Sequence, residues 1–377
     1  MSSLYIGIMS GTSADGIDAV LISTTPKFSL VGCHSRSLSP DLRKRIHQLC
    51  LPGSNEIDRL GSLDIELAHE FSLCINELLR LTNTSPQKVV AIGSHGQTIR
   101  HRPPVNAGRS SLGEHPFTLQ IVDPNTIAEL TGITVVADFR RRDMAVGGQG
   151  APLVPAFHQA IFGCNRTTRA IINIGGMANI TWLAPKQRPS GFDTGPGNVL
   201  MNAWINKHLN KPYDQNGDWS RTGKVSQTLL QELLKHPFLA LPPPKSTGRE
   251  DFHLPWLNDC LSRHPALTPA DVQATLVAFT ATTITQQIDK LHHSAKNSIS
   301  IILCGGGAYN TALVEAIALN RPDDEVLTTK NLGIAPEWIE AAAFAWLAQQ
   351  TIERKPGNLC EVTGATREVI LGGVYYA

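Results

Sequence analysis

Strand and helix patterns alternate along the chain, a glycine-turned hairpin pattern recurs about 165 residues after its first occurrence, and 377 residues is the length of two ordinary domains. These observations predict an α/β protein of two related domains with a cleft between them. The expected division is residues 1–140, joined by the tail 358–377, and residues 141–357.

The elements follow in order. Leu4 to Met9 is an apolar strand, a Gly-rich turn reverses it, and Ala19 to Ile22 returns. From Glu56 to Leu81 the apolar positions Ile57, Leu60, Leu63, Leu67, Phe71, Cys74, Ile75, Leu78 and Leu79 recur at three and four, the period of an amphipathic helix, with a break expected near Gly61. Lys88 to Ile92 is a short strand that opens into a polar turn from Gly93 to Gln97. Phe117 to Val122, a helix from Asn125, and Thr134 to Ala137 continue the alternation. The second cycle starts with a strand at Arg169 to Ile174, turned by Gly175 and Gly176 into Asn179 to Leu183. Helices at about Asn198 to Leu209, Val225 to Leu234 and Pro269 to Leu291 follow, then a strand at Ile299 to Leu303 ending in Cys304 and three glycines. A helix from Tyr309, a strand near Val326 and an Ala-rich helix from Pro336 to Gln350 complete the cycle. The stretch LPPPKSTGREDFHLP, Leu241 to Pro255, is rich in Pro and charge and reads as a surface excursion.

Composition excludes several classes. With 33 Lys and Arg against 32 Asp and Glu, the net charge of +1 gives no field to hold a nucleic-acid backbone or an anionic membrane. The apolar start is short for a signal-peptide core, and no stretch approaches the roughly 20 apolar residues of a spanning helix. The seven cysteines are scattered, odd in number and without CxxC spacing, as expected of thiols in a reducing cytoplasm.

Three glycine-rich turns are candidates for chemistry. In MSGTSADGID, Met9 to Asp18, Gly11 and Gly16 allow sharp turning, and backbone N–H groups with the Thr12 and Ser13 hydroxyls make an anion cradle; a hairpin turn bonded to its own backbone reads equally from the spacing. No Lys follows, so this is not a Walker loop. GFDTGPGN, Gly191 to Asn198, sets backbone donors at a helix start, with Asp193 at the end of the preceding strand, where it serves either a cleft or the turn itself. CGGGAYN, Cys304 to Asn310, is a strand-to-helix turn fit for close passage of a flat nucleoside, and any tight turn can also use such a triplet.

MSGTSADGID, GSHGQT, INIGGMANIT, GFDTGPGN, CGGGAYN and APEWIEAAAFAWLA, in this order and over nearly the whole chain, resemble the anhydro-N-acetylmuramic acid kinase family of the actin-like ATPase and sugar-kinase superfamily. The resemblance implies two actin-like ATPase (ribonuclease H-like) domains, the first on the sugar side and the second on the nucleotide side. It further implies a cytoplasmic homodimer of cell-wall recycling and amino-sugar catabolism, acting with ATP and Mg²⁺ and with neither nucleic acid nor membrane as partner. The implied reaction opens the 1,6-anhydro ring with water and phosphorylates O6, with Asp193 as the base. The ATP contacts are then Gly11, Thr12, Ser13, Ala14, Asp15, Gly16, Ile17, Asp18, Gly195, Gly197, Asn198, Gly305, Gly306 and Gly307. His95, Gln97, Arg140 and Glu337 are the sugar contacts; for His95 a satisfied structural histidine reads nearly equally, for Arg140 a salt bridge to Asp138 or Asp143, for Glu337 a helix-terminal charge. The superfamily's metal-holding Asp of the first strand is replaced by Met9, which leaves Asp18 and Asp193 as candidates to steady Mg²⁺ through water. Another sugar kinase of the same fold, or an ATP-binding regulator without sugar chemistry, are the competing readings.

Overall fold

The structure is a computed structural model that describes residues 3–11, 13–104, 115–243, 245–249, 251–292 and 298–377. The chain forms two compact units, Met1–Ile161 with Trp338–Ala377, and Phe162–Glu337. The chain therefore leaves the first unit later, and returns to it earlier, than the 140/141 and 357/358 boundaries expected from sequence. Two helices account for the difference. Phe157, in the helix Val154–Phe162, packs against Phe28 and Trp346, and the helix Ile339–Ile352 lies on the first sheet.

The first unit holds β1 (Leu4–Ser10), β2 (Gly16–Ser23), β3 (Ser29–Ser37), β4 (Val89–Arg102), β5 (Phe117–Ile121), β6 (Val135–Ala137) and, from the tail, β12 (Gly373–Tyr375). The second holds β7 (Arg169–Ile174), β8 (Met177–Leu183), β9 (Ser190–Pro196), β10 (Ser300–Cys304) and β11 (Glu325–Thr328). Sheet one runs β12-β6-β4-β1-β2-β3, with β5 on the far half of β4; sheet two runs β11-β10-β7-β8-β9. Without β5 and β12 both read third, second, first, fourth, fifth. In each, the first three strands are antiparallel and the fourth and fifth parallel to the first. The recurring hairpin is thus the head of a repeated α/β topology.

Glycine sets the packing of sheet one. A Cβ on Gly7 would stand 1.8 Å from the carbonyl oxygen of Ala341, and one on Gly93 2.0 Å from that of Phe344. The helix Ile339–Ile352 meets them with alanines 341, 342, 343, 345 and 348, all fully buried. On the other face lies the helix Glu56–Leu81, which buries Leu63, Leu67, Phe71, Cys74, Ile75 and Leu78. It is continuous: nothing lies within 4 Å of a Cβ built on Gly61, so that residue costs helix propensity without breaking the helix. The tail is tied down by Asp143, which is fully buried and accepts from the Gly150 N–H, Asn358 Nδ2 and Thr363 Oγ1, each at 2.8 Å.

In sheet two the helix Pro269–Leu291, opened by a Thr268–Asp271 capping box, buries Val272, Leu276, Phe279, Ile284 and Ile288 in a core shared with Ile172, Ile174, Ile180 and Trp182. The Leu241–Pro255 stretch is no mere surface excursion. Phe252 is fully buried in that core, and Lys245 is 7% exposed.

Candidate active site

In the first unit, the turn joining β1 and β2 closes with the Ala14 N–H on the Gly11 carbonyl at 3.0 Å and Ser10 Oγ on the Gly16 carbonyl at 2.9 Å. Ala14 adopts a left-handed φ of 52° and is fully buried, and Ile17 points into the core, so both offer a ligand backbone rather than side chain. Ser13 is half-buried, and exposed Asp15 pairs with Arg43 at 2.6 Å. Thr12 lies outside the described residues. Asp18 stands directly across from Met9 in the β1–β2 register, and Ser35 of β3 donates to its Oδ1 at 2.7 Å. A carboxylate thus stands one strand over from Met9, in the same cross-strand row.

His95 and Gln97 do not lie in a turn. They belong to β4, which continues to Arg102 by exchanging partners: β1 pairs with it up to Gly96, and β5 from Gln97 onward. Gly96 makes the exchange, with φ 74° and the Ile121 carbonyl 2.3 Å from where a Cβ would be. Gln97 Nε2 donates to the Gly11 carbonyl at 3.3 Å, joining β4 to the β1–β2 turn, while its Oε1 is buried without a partner. His95 shares its Nδ1 proton with the Gly96 carbonyl at 3.0 Å, and its Nε2 accepts from Arg140 Nε at 3.0 Å. Burial, and then the Arg140 charge, hold this imidazole well below its usual range, so it is neutral. Arg140 also donates to the Gly150 carbonyl at 2.8 Å. Among the described residues Arg140 does not make the alternative salt bridge to Asp138 or Asp143: Asp138 pairs with Arg141 at 3.3 Å, and Asp143 accepts from three other donors.

In the second unit the other two glycine motifs meet at the end of β7. The N–H groups of Gly197 and Asn198 donate to the carbonyls of Gly176 and Gly175 at 2.9 and 2.8 Å, and Asn198 Nδ2 donates to the Ile174 carbonyl at 3.2 Å. These donors, expected to face an anion, instead clasp the loop to the β7–β8 turn. Gly195, with φ 151°, packs on Leu239 and Thr283. The 305–307 turn closes on the same place: a Cβ on Gly305 would stand 2.4 Å from Asn173 Oδ1, and one on Gly307 2.3 Å from Ile174 Cγ2. Gly306 faces open space, with nothing within 4 Å, and Gly176 is exposed.

Asp193 sits within β9 rather than at a strand end, opposite Asn179 on β8, which is itself opposite Asn173 on β7. This polar row across three strands was not singled out from sequence, although both asparagines lie in INIGGMANIT. Asp193 Oδ2 accepts from the Thr247 N–H at 2.9 Å and from Ser246 Oγ at 3.2 Å, and the Asp193 N–H donates to the Lys245 carbonyl at 3.1 Å. The Lys245 ammonium lies 4.7 Å over the Phe238 ring and is pushed down to about 8, first by burial and then by Lys290, with Asp193 opposing. Glu337 accepts a hydrogen bond from the Tyr309 hydroxyl; burial first, and then this bond, raises the phenol above its ordinary range. It stands in a 3₁₀ turn, Pro336–Trp338. Among the described residues no group of three or more His, Cys, Asp or Glu could cage a metal, and no helix is long and apolar enough to cross a membrane.

The family model for anhydro-N-acetylmuramic acid kinase matches residues 3–377. The chain belongs to this family. A curated anhydro-N-acetylmuramic acid kinase from Saccharophagus degradans is 53% identical over 377 residues, 99% of each chain, and one from Shewanella pealeana is 48% identical over 378 residues, 100% of this chain and 99% of the relative. A solved structure of (R)-2-hydroxyglutaryl-CoA dehydratase component A from Acidaminococcus fermentans has a TM-score of 0.48 at 9% identity, covering 91% of this chain and 96% of that one. As an anhydro-N-acetylmuramic acid kinase the chain is a phosphotransferase, and its two sheets carry the actin-like ATPase, ribonuclease H-like strand order expected of the family.

Proposed function

We propose that the chain opens 1,6-anhydro-N-acetylmuramic acid with water and transfers the γ-phosphoryl group of ATP to O6, giving N-acetylmuramic acid 6-phosphate and ADP. The observation that carries this reading is the whole-chain family match together with a carboxylate, Asp193, fixed by two donors on a strand of the second sheet. O6 is tied up in the anhydro bridge until the C1–O bond breaks. Asp193 takes a proton from water as the water oxygen bonds to C1, the part played by the base of an inverting glycosidase. The C1–O6 bond breaks, its electron pair leaves with O6, and O6 displaces ADP from the γ-phosphorus in line. Phosphoryl transfer thus stands where a glycosidase would protonate its leaving group.

The nucleotide falls to the backbone of Gly11 and Ser13 to Asp18 and to the glycine locus of Gly195, Gly197, Asn198 and Gly305 to Gly307. In that locus, the open Gly306 and the exposed Gly176 support close approach, and the N–H groups of 197 and 198 shape the turn. His95, Gln97, Arg140 and Glu337 are assigned to the sugar: the neutral His95 is held by Arg140, and Gln97 Oε1 is an acceptor awaiting a donor. A kinase Mg²⁺ needs only one or two carboxylates beside phosphates and water, so Asp18 or Asp193 would suit it as a single carboxylate acting through water, without a cage. When bound, it offsets phosphate charge. Cytoplasmic residence, action in cell-wall recycling and amino-sugar catabolism, and a homodimer complete the reading. Asp193→Asn tests it: turnover of the anhydro sugar is expected to vanish while ATP affinity, measured by calorimetry, stays near normal. Near-normal turnover would remove Asp193 from the role.

A further inference from the structure

Asp193 is held from one side by three consecutive residues of a loop that sequence reading had set aside. The Lys245 carbonyl accepts the Asp193 N–H at 3.1 Å, Ser246 Oγ donates to Oδ2 at 3.2 Å, and the Thr247 N–H donates to the same oxygen at 2.9 Å. The loop is itself anchored. Lys245 is almost wholly buried, with its ammonium on the Phe238 and Leu239 carbonyls at 3.4 Å each, and Thr247 Oγ1 donates to Asp251 at 2.7 Å. Phe252, fully buried in the core of the second unit, fixes the far end. A loop that only covered the sheet would not need an interior lysine at one end and a buried phenylalanine at the other.

We infer that Lys245–Thr247 is a positioning device for the Asp193 carboxylate, and that Ser246 is the member of it acting through its side chain. The inference rests on Asp193 being the base. Oδ2 accepts from two donors, which fix the carboxylate plane. A base held within about 0.5 Å of its productive place retains the rate that a loosely held one loses. Ser246 is exposed, so the fold does not depend on it.

The test uses Ser246→Ala and Ser246→Thr in the full-length chain, with steady-state kinetics on ATP and the anhydro sugar and a thermal unfolding scan. Loss of the hydroxyl is expected to lower kcat about 10-fold with the KM for ATP and the unfolding midpoint unchanged, and Ser246→Thr to restore most of the loss. Unchanged kcat in Ser246→Ala would overturn the inference, as would a KM change with kcat intact, which would make Ser246 a substrate contact. Asp193→Asn assayed alongside separates the two failures: an inactive Asp193→Asn with a fully active Ser246→Ala sinks only the positioning role, whereas an active Asp193→Asn sinks the base itself.

Discussion

Replacing Gly7 by alanine places one methyl group where helix Ile339–Ile352 already runs. The new carbon would lie 1.8 Å from the Ala341 carbonyl oxygen and 2.5 Å from the Ala345 nitrogen. Ordinary contact is about 3.4 Å, so relief requires a separation of roughly 1.5 Å, and both obstacles are backbone, which no rotamer change can move aside. The helix must retreat from β1, taking with it Ala341, Ala342 and Ala345, now fully buried, and opening the second tight contact at Gly93. Overpacking by one methylene typically costs about 1–3 kcal/mol where side chains can yield; with backbone on both sides about 4 kcal/mol is expected. That is a large part of the roughly 5–15 kcal/mol by which domains are stable. Urea unfolding followed by circular dichroism measures it, with Gly61→Ala as the control: nothing approaches within 4 Å there, and a gain of about 0.5–1 kcal/mol is expected. Gly7→Ala within 1 kcal/mol of the parent, with an unchanged m-value, would refute the packing of this helix on sheet one.

Other outcomes follow from buried polar groups. Asn358→Ala removes a donor to Asp143 and the acceptor of the Val369 N–H, at 2.8 Å each, and is expected to cost about 2–3 kcal/mol in urea unfolding, releasing the tail. Lys245 is held at about 8 while the unfolded chain keeps its proton to 10.5, so the unfolded state binds more protons in that window and stability rises with pH across it. Lys245→Met is expected to abolish that rise, seen by comparing urea unfolding at pH 7.5 and 9.5, about 1.4 kcal/mol per pH unit at most. Burial holds His101 at about 4 and His158 at about 3, against 6.5 when unfolded. Their stabilising neutrality is present above about pH 6.5 and lost as pH falls toward 4, so unfolding midpoints are expected to drop steeply between pH 6.5 and 5 and to drop less in His158→Phe.

Much of the architecture was legible because buried elements carry strong periods. Val89 to Ile92, Arg169 to Ile174 and Ser300 to Cys304 are near-continuous apolar runs, as expected of strands with neighbours on both sides, and the helix Glu56–Leu81 shows its 3.6-residue stripe. β3 was missed because SLVGCHSRS at the sheet edge buries no residue fully and shows no apolar alternation. The extension of β4 through His95 and Gln97 was illegible because two glycines and polar residues signal a turn, whereas here Gly96 serves a change of partner strand. The same ambiguity hid the Asp193 support: Pro, Lys and Ser in sequence read as exposed loop, and only the fold turns Lys245 inward and sets Ser246 and Thr247 on the carboxylate. Gly197 and Asn198 show the converse, since a phosphate-like pattern of donors closes on the neighbouring turn.

The most direct test of the chemistry is a reaction of the anhydro sugar with ATP in ¹⁸O-labelled water, analysed by mass spectrometry and phosphorus NMR. Attack of water at C1 with Asp193 as base predicts one ¹⁸O on the C1 hydroxyl of N-acetylmuramic acid 6-phosphate and unlabelled phosphate on O6. Labelled inorganic phosphate beside an intact anhydro sugar would instead mean that the water attacks phosphorus, and the proposed ring opening would be wrong.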